Sequence, residues 1–271
     1  MRILIATNGT PHSQTVVKAG GRLAELNNGL ITLFTVIRNE QERSQAALIL
    51  QQAREWLPAN VLVRHCHIRC GQVAEAIVQE AESGYYDLIV MGSQPAHRFW
   101  RHTLTTTTER VLTKTPYPVL IVKRDLQQVE NLLVCESGRA PTILDKTQIR
   151  LPGLVSEMVD YTVLHVMSQI VAAPDVPEWE LHASASELIS QQTPEGVLLE
   201  HDSRLLRQAT THSNVKIRHG MVVDEILAEA RNGRYDALVI GRHQRQGWEW
   251  LLLDDVAKML IERLDLPIFV L

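Results

Sequence analysis

The sequence predicts an α/β fold built twice: two tandem domains, each a parallel sheet with helices on both faces. Three observations carry this. The 22 residues Gly71 to Gly92 recur as Gly220 to Gly241, at an offset of 149 with ten positions identical. The same offset, without a gap, brings Pro118 onto Pro267 and aligns the last strand of each half. Finally, short apolar runs alternate with longer amphipathic stretches, the pattern of right-handed βαβ crossovers. A repeat this long is a domain, not a solenoid unit.

Taken in order, Ile3 to Ala6 is an apolar run of buried-strand type, ended by the turn cluster Thr7-Asn8-Gly9-Thr10-Pro11. Val16, Val17, Ala19, Gly20, Leu23, Ala24 and Leu26 form one helical face, stopped at Asn27-Asn28-Gly29. Leu30 to Ile37 is the second strand, 41–57 the second helix, Val61 to Arg69 the third strand and Gln72 to Ser83 the third helix. Asp87 to Met91 is the fourth strand, 105–114 the fourth helix and Pro118 to Val122 the fifth strand. Polar residues 125–130 read as a linker between domains at 1–124 and 131–271.

The second copy opens on Leu132 to Cys135, followed by strands at 161–166, within 213–220, at 236–240 and at 267–271. Pro141, Pro152 and Gly153 predict a shortened or kinked first helix. The stretch 168–213 is longer than its counterpart, and predicts a loop followed by a helix over about 200–209.

A chain of 271 residues fits about two domains. Its net charge of −4 argues against nonspecific nucleic-acid binding, which needs a basic surface. Three cysteines are too few for a disulfide framework and suggest a reducing compartment. With strand residues at the start and no apolar run of membrane-spanning length, the expectation is a cytoplasmic protein with no membrane partner.

Tyr86-Asp87-Leu88-Ile89-Val90-Met91-Gly92-Ser93 and Thr115-Pro116-Tyr117-Pro118-Val119-Leu120-Ile121-Val122 resemble the universal stress protein family. So do Tyr235 to Gly241 and Leu266 to Val270 in the second copy. The resemblance covers nearly the whole chain. It implies tandem Rossmann-like (adenine nucleotide alpha hydrolase-like) domains with five parallel strands in the order 3-2-1-4-5. It also implies domain pairing through the fifth strands, here within one chain as a pseudo-dimer or between chains as a homodimer.

Many members of that family bind ATP through Gly-x2-Gly-x9-Gly-Ser/Thr after the fourth strand and an Asp after the first. Glycines let backbone N–H groups approach phosphate at a helix N-terminus. Both copies depart from the pattern. The first keeps Gly92 and Ser93 but has Pro95 for the second glycine, Thr105 and Thr106 for the last Gly-Ser/Thr, and Asn8 for the Asp. The second keeps Gly241 but has Gln244, Asp254 and Asp255, with Glu136 in the first-strand turn. Its acids would cap a helix and repel phosphate.

Three readings of the first copy's loop stay open: a degenerate loop without ligand, an anion or nucleotide site rebuilt with other residues, or a protein-contact surface around Phe99 and Trp100. Under the second, the cofactor is ATP, bound in the first copy alone. Its candidate binding residues are Asn8, Gly92, Ser93, Arg98, Arg101, Thr105 and Thr106, with arginine forks replacing lost glycine contacts.

The catalytic inventory is thin: no Gly-x-Ser-x-Gly elbow, no complete phosphate loop, no His-Glu-x-x-His. His65-Cys66-His67 with Cys70 reads as strand, because Cys66 faces away from the two histidines. Asp87 and Asp236 read as turn formers, and Glu75 and Asp224 as helix first-turn acids. These observations favour stress-response binding and signalling, with an unknown signalling partner, over turnover. The alternatives are a weak ATP-hydrolysing or nucleotide-transferring enzyme at the first copy, and a ligand-free assembly protein.

Overall fold

The computed structural model describes residues 1–93, 106–168, 179, 182–209, 212–242 and 255–271. Two compact units divide the chain, Met1–Gln128 with Arg242–Val270, and Val129–Gly241 with Leu271.

The first unit contains β1 (Arg2–Ala6), α1 (Pro11–Leu26), β2 (Leu30–Ile37), α2 (Arg43–Glu55), β3 (Leu62–Cys70), α3 (Val73–Gly84), β4 (Leu88–Gly92), α4 (Thr106–Lys114) and β5 (Val119–Val122). Its parallel strands lie in the order β3-β2-β1-β4-β5, as the resemblance implied. Ile3, Leu4, Ile5, Leu88, Ile89 and Val90 are fully buried, so the central strands are covered on both faces, as parallel sheets require.

Pro11 opens α1 at the first helical position, where its missing N–H is no loss. The predicted second helix divides into a single 3-10 turn, Glu40–Glu42, and α2. Asn39 caps that turn by accepting from the Gln41 N–H. The pairing of β2 with β3 carries a bulge. Ile31 faces Val63 but Thr32 faces His65, which leaves Arg64 as the extra residue.

This unit also holds the end of the second copy, α9 (Asp255–Arg263) and β10 (Ile268–Val270). β10 runs antiparallel to β5, with Phe269 opposite Leu120 and Ile268 opposite Ile121. All seven residues of the two strands are fully buried. Phe269 and Leu120 are also each other's counterparts under the repeat, so the pairing is centred on a local two-fold axis. Glu109 and Lys258, a second pair of repeat counterparts, form an ion pair of 3.3 Å. Lys123 donates to the carbonyls of Ile261 and Leu264, and Arg242 to those of Thr115 and Tyr117. Burial lowers the Lys123 ammonium from its ordinary value, and lowers Arg242 to about 10.

The second unit contains β6 (Asn131–Glu136), α5 (Ile143–Arg150), β7 (Asp160–Met167), α6 (Ala185–Ser190), α7 (Pro194–Ala209), β8 (Ser213–His219), α8 (Val222–Asn232) and β9 (Ala237–Ile240). Its parallel strands run β9-β6-β7-β8. α5 has only eight residues and gives way to a 3-10 turn at Pro152–Leu154, as the prolines predicted. Between β7 and β8 the structure corrects the sequence reading. α7 begins at Pro194, well before the expected start, and α6 precedes it. α6 is set by a capping box in which Ser184 and Glu187 each accept from the other's backbone N–H. In the segment read as a linker, Leu126 and Val129 at its apolar positions are buried.

Candidate functional site

At the C-terminal ends of β1, β2 and β4 the first unit encloses a cavity of about 280 Å³. Open α/β sheets bind ligands at this edge. Its polar rim is formed by Asn8, Thr10, Ser13, Thr35 and Thr107, and its floor includes Phe34 and Ile77. The turn after β1 is a closed network. The Asn8 amide oxygen accepts from the Thr10 backbone N–H at 3.3 Å, the Thr10 hydroxyl at 2.8 Å and the Ser13 hydroxyl at 2.5 Å. Asn8 therefore presents a neutral side chain where an aspartate would bring charge.

Gly92 lines the same cavity, and a Cβ there would lie 2.9 Å from both the His12 ring and Val16. Its bare backbone lets α1 close on β4. His12, passed over in the sequence, tethers this corner through Nε2, 3.2 Å from the Val122 carbonyl. The Ser93 N–H is already committed to that carbonyl at 3.2 Å, and its side chain is buried. Thr106 begins α4, and the next residue, Thr107, reaches the cavity. Arg98, Arg101 and Thr105 lie outside the described residues, as do Pro95, Phe99, Trp100, Gln244 and Asp254.

The corresponding edge of the second unit carries acidic side chains. The Glu136 carboxylate accepts from the Ile143 and Leu144 N–H groups, both at 2.9 Å, and so occupies the N-terminus of α5. Asp202 of α7 is fully buried and lies against the Glu136 and Thr142 side chains. Burial raises both carboxyls above their ordinary range, and the nearby Asp202 charge raises Glu136 further. Around them, His201 holds Asp145 at 2.8 Å, and His165 Nδ1 lies 3.2 Å from the Glu136 carbonyl. A negatively charged ligand would meet two acids here.

The universal stress protein family model matches residues 1–123 and 158–271. The chain belongs to the universal stress protein family. Among solved structures, a putative universal stress protein from Pseudomonas aeruginosa UCBPP-PA14 is similar at a TM-score of 0.71 and 15% identity, covering 100% of this chain and 92% of that one. A functionally unknown protein from Pseudomonas aeruginosa PAO1 is similar at 0.69 and 15%, with the same coverage. A universal stress protein from Archaeoglobus fulgidus DSM 4304 gives 0.68 and 19%, covering 99% and 95%. A search of curated proteins returned no match.

Within this universal stress protein the repeated residues have structural work. Glu80 and Glu229 are identical under the repeat and both buried. Glu80 is held by His67 and Arg69, each at 2.7 Å, and by the Tyr86 hydroxyl at 3.0 Å. Glu229 is held by Lys216 at 2.8 Å, Arg218 at 2.7 Å and the Tyr235 hydroxyl at 2.6 Å. Burial pushes each carboxyl up, but these donors outweigh it, lowering Glu80 and bringing Glu229 to about 2.

Gly84 and Gly233 make room for the tyrosines, since a Cβ would come within 2.1 Å and 2.0 Å of their rings. Asp87 accepts from the Arg2 N–H at 2.7 Å, and Asp236 from the Glu130 and Asn131 N–H groups at 2.8 Å, which ties each first strand to the start of the fourth. Glu75, expected as a helix first-turn acid, also pairs with Lys114 at 3.2 Å. The cue to the carboxylate nodes was present in the sequence: a basic pair two residues apart on the third strand, at the repeat offset.

Proposed function

We propose that this chain is a stress-response binding and signalling module whose first copy keeps a ligand crevice and whose second has closed it. The reading rests on the contrast between the two sheet edges. One has a cavity of about 280 Å³ rimmed by hydroxyls and an amide, while the other has an internal carboxylate on its helix N-terminus. The ligand is an adenine nucleotide, held in the first copy alone. Thr107 on α4 and the turn at Asn8 frame it, and Arg98 and Arg101 supply positive charge in place of the backbone N–H contacts that the family's glycines allow.

The module is cytoplasmic and acts by binding. Among the described residues no helix is long and apolar enough to cross a membrane. The local symmetry of β5 and β10 supports the further reading that the two copies serve as each other's dimer partner. Calorimetric titration with ATP tests the crevice. The expected outcome is one site per chain, weakened at least tenfold by Arg98→Ala/Arg101→Ala and unaffected by Glu136→Gln. ATP binding that depends on the second copy, or steady-state ATP turnover by the pure protein, would contradict this reading.

A further inference from the structure

We propose that the first unit carries a second ligand site, a basic groove beside β3 that takes a small molecule bearing phosphate groups. The groove has a volume of about 550 Å³, within the range of small-molecule sites, and Arg2, Arg64, His65, His67, Arg69 and Ser83 line it. It opens at the other end of the sheet from the crevice: Arg2 begins β1, and Ser83 lies at the end of α3. The site therefore does not depend on the crevice reading.

Its charge is unbalanced. The lining contains three arginines and a single carboxylate, Glu80. That carboxylate is buried and already held by His67, Arg69 and Tyr86. Arg69 also donates to the Ser83 hydroxyl at 3.1 Å, which fixes its guanidinium at the groove wall. His65 and His67 stack with ring centroids 5.2 Å apart, and both rings line the groove. No three His, Cys, Asp or Glu side chains come together as a metal site among the described residues. The Arg2 and Arg64 guanidinium forks and the His65 imidazole, which are not committed to Glu80, instead supply donors that suit phosphate oxygens.

The bulge gives the groove its surplus. A regular strand would turn Arg64 and His65 to opposite faces. Here Arg64 is the extra residue, and the groove is lined by the whole run from Arg64 to Arg69. The second copy supplies the comparison. Its β7–β8 register is unbroken from Tyr161 opposite Ser213 to Met167 opposite His219. It keeps the basic pair on its buried carboxylate, but at the offset of Arg64 and His65 it has Ser213 and Asn214. The part of the network that holds the fold occurs twice, and the surplus of cations occurs once.

Titration calorimetry of the full chain with inorganic pyrophosphate tests the site, using the variant Arg64→Ser/His65→Asn, which installs the second copy's own residues. Both positions are exposed, and circular dichroism checks that the fold is kept. The expected result is saturable binding by the wild type, weakened at least tenfold in the variant. A wild type that does not bind pyrophosphate overturns the proposal. So does binding that survives in R64S/H65N but is lost in R98A/R101A, which would place the anion in the crevice.

Discussion

Among single residues, Glu229 carries the clearest consequence. A buried carboxylate is tolerated only when donors surround it, and Glu229 has Lys216, Arg218 and Tyr235. Because its folded-state value, about 2, lies below the ordinary value of 4.5, it adds stability above the unfolded-state range. That contribution is lost as pH falls through 4 toward about 2. Glu229→Gln should cost about 1–3 kcal/mol at pH 7 and flatten the acid limb, both read from urea midpoints between pH 7 and pH 2.5. The repeat made this residue conspicuous without explaining it. Its partners lie 11 and 13 residues upstream on a strand and six residues downstream in a turn, so only the fold brings them together. Gly84 and Gly233 posed a similar difficulty, since the repeat shows them identical but only the fold shows that they make room for tyrosine rings.

The elements most at odds with the sequence reading lie in the second unit, where α6 and the early start of α7 replace an expected loop. Strand and helix periods were legible wherever apolar residues recur, which is why β2 falls at Leu30–Ile37 as expected. α6 is six residues long with one buried leucine, too short for periodicity to register, and only its capping box betrays it. Bulges leave no such trace, so the side to which Arg64 turns could not be read. α7 also carries a pH signal. Asp202 and Glu136 are acids whose folded-state values are raised, so the stability linked to their protonated forms is present at low pH. It is lost as pH rises from the unfolded range near 4 through the raised folded range. Asp202→Asn removes one of the two charges, and at pH 8.5 the variant should be more stable than wild type by about 1–3 kcal/mol. Urea midpoints at pH 5 and pH 8.5 check this, and a difference that does not grow with pH would refute it.

Over the whole molecule, the duplication was legible from the residue identities at one offset, and the strand order of the first copy from the family resemblance. The crevice was legible only in part. Asn8 and Gly92, two of the candidate binding residues, line it, whereas His12 and Ser13 became visible only once α1 was packed. The apolar fifth strands pointed to a need for cover, and β10 meets that need for β5. The full chain should therefore run as a monomer in light scattering. A chain ending at Arg263, which lacks β10, should associate or aggregate at micromolar concentration through the bared β5. Truncated protein that stays monomeric would refute this. The same arrangement constrains synthesis. A ribosome making this polypeptide releases β1 to β5 well before Ile268–Val270, so the nascent first sheet waits with the β5 flank unprotected until that later strand emerges. The sheet that is made earlier is thus completed only by a strand made later, and a chaperone has that interval in which to act.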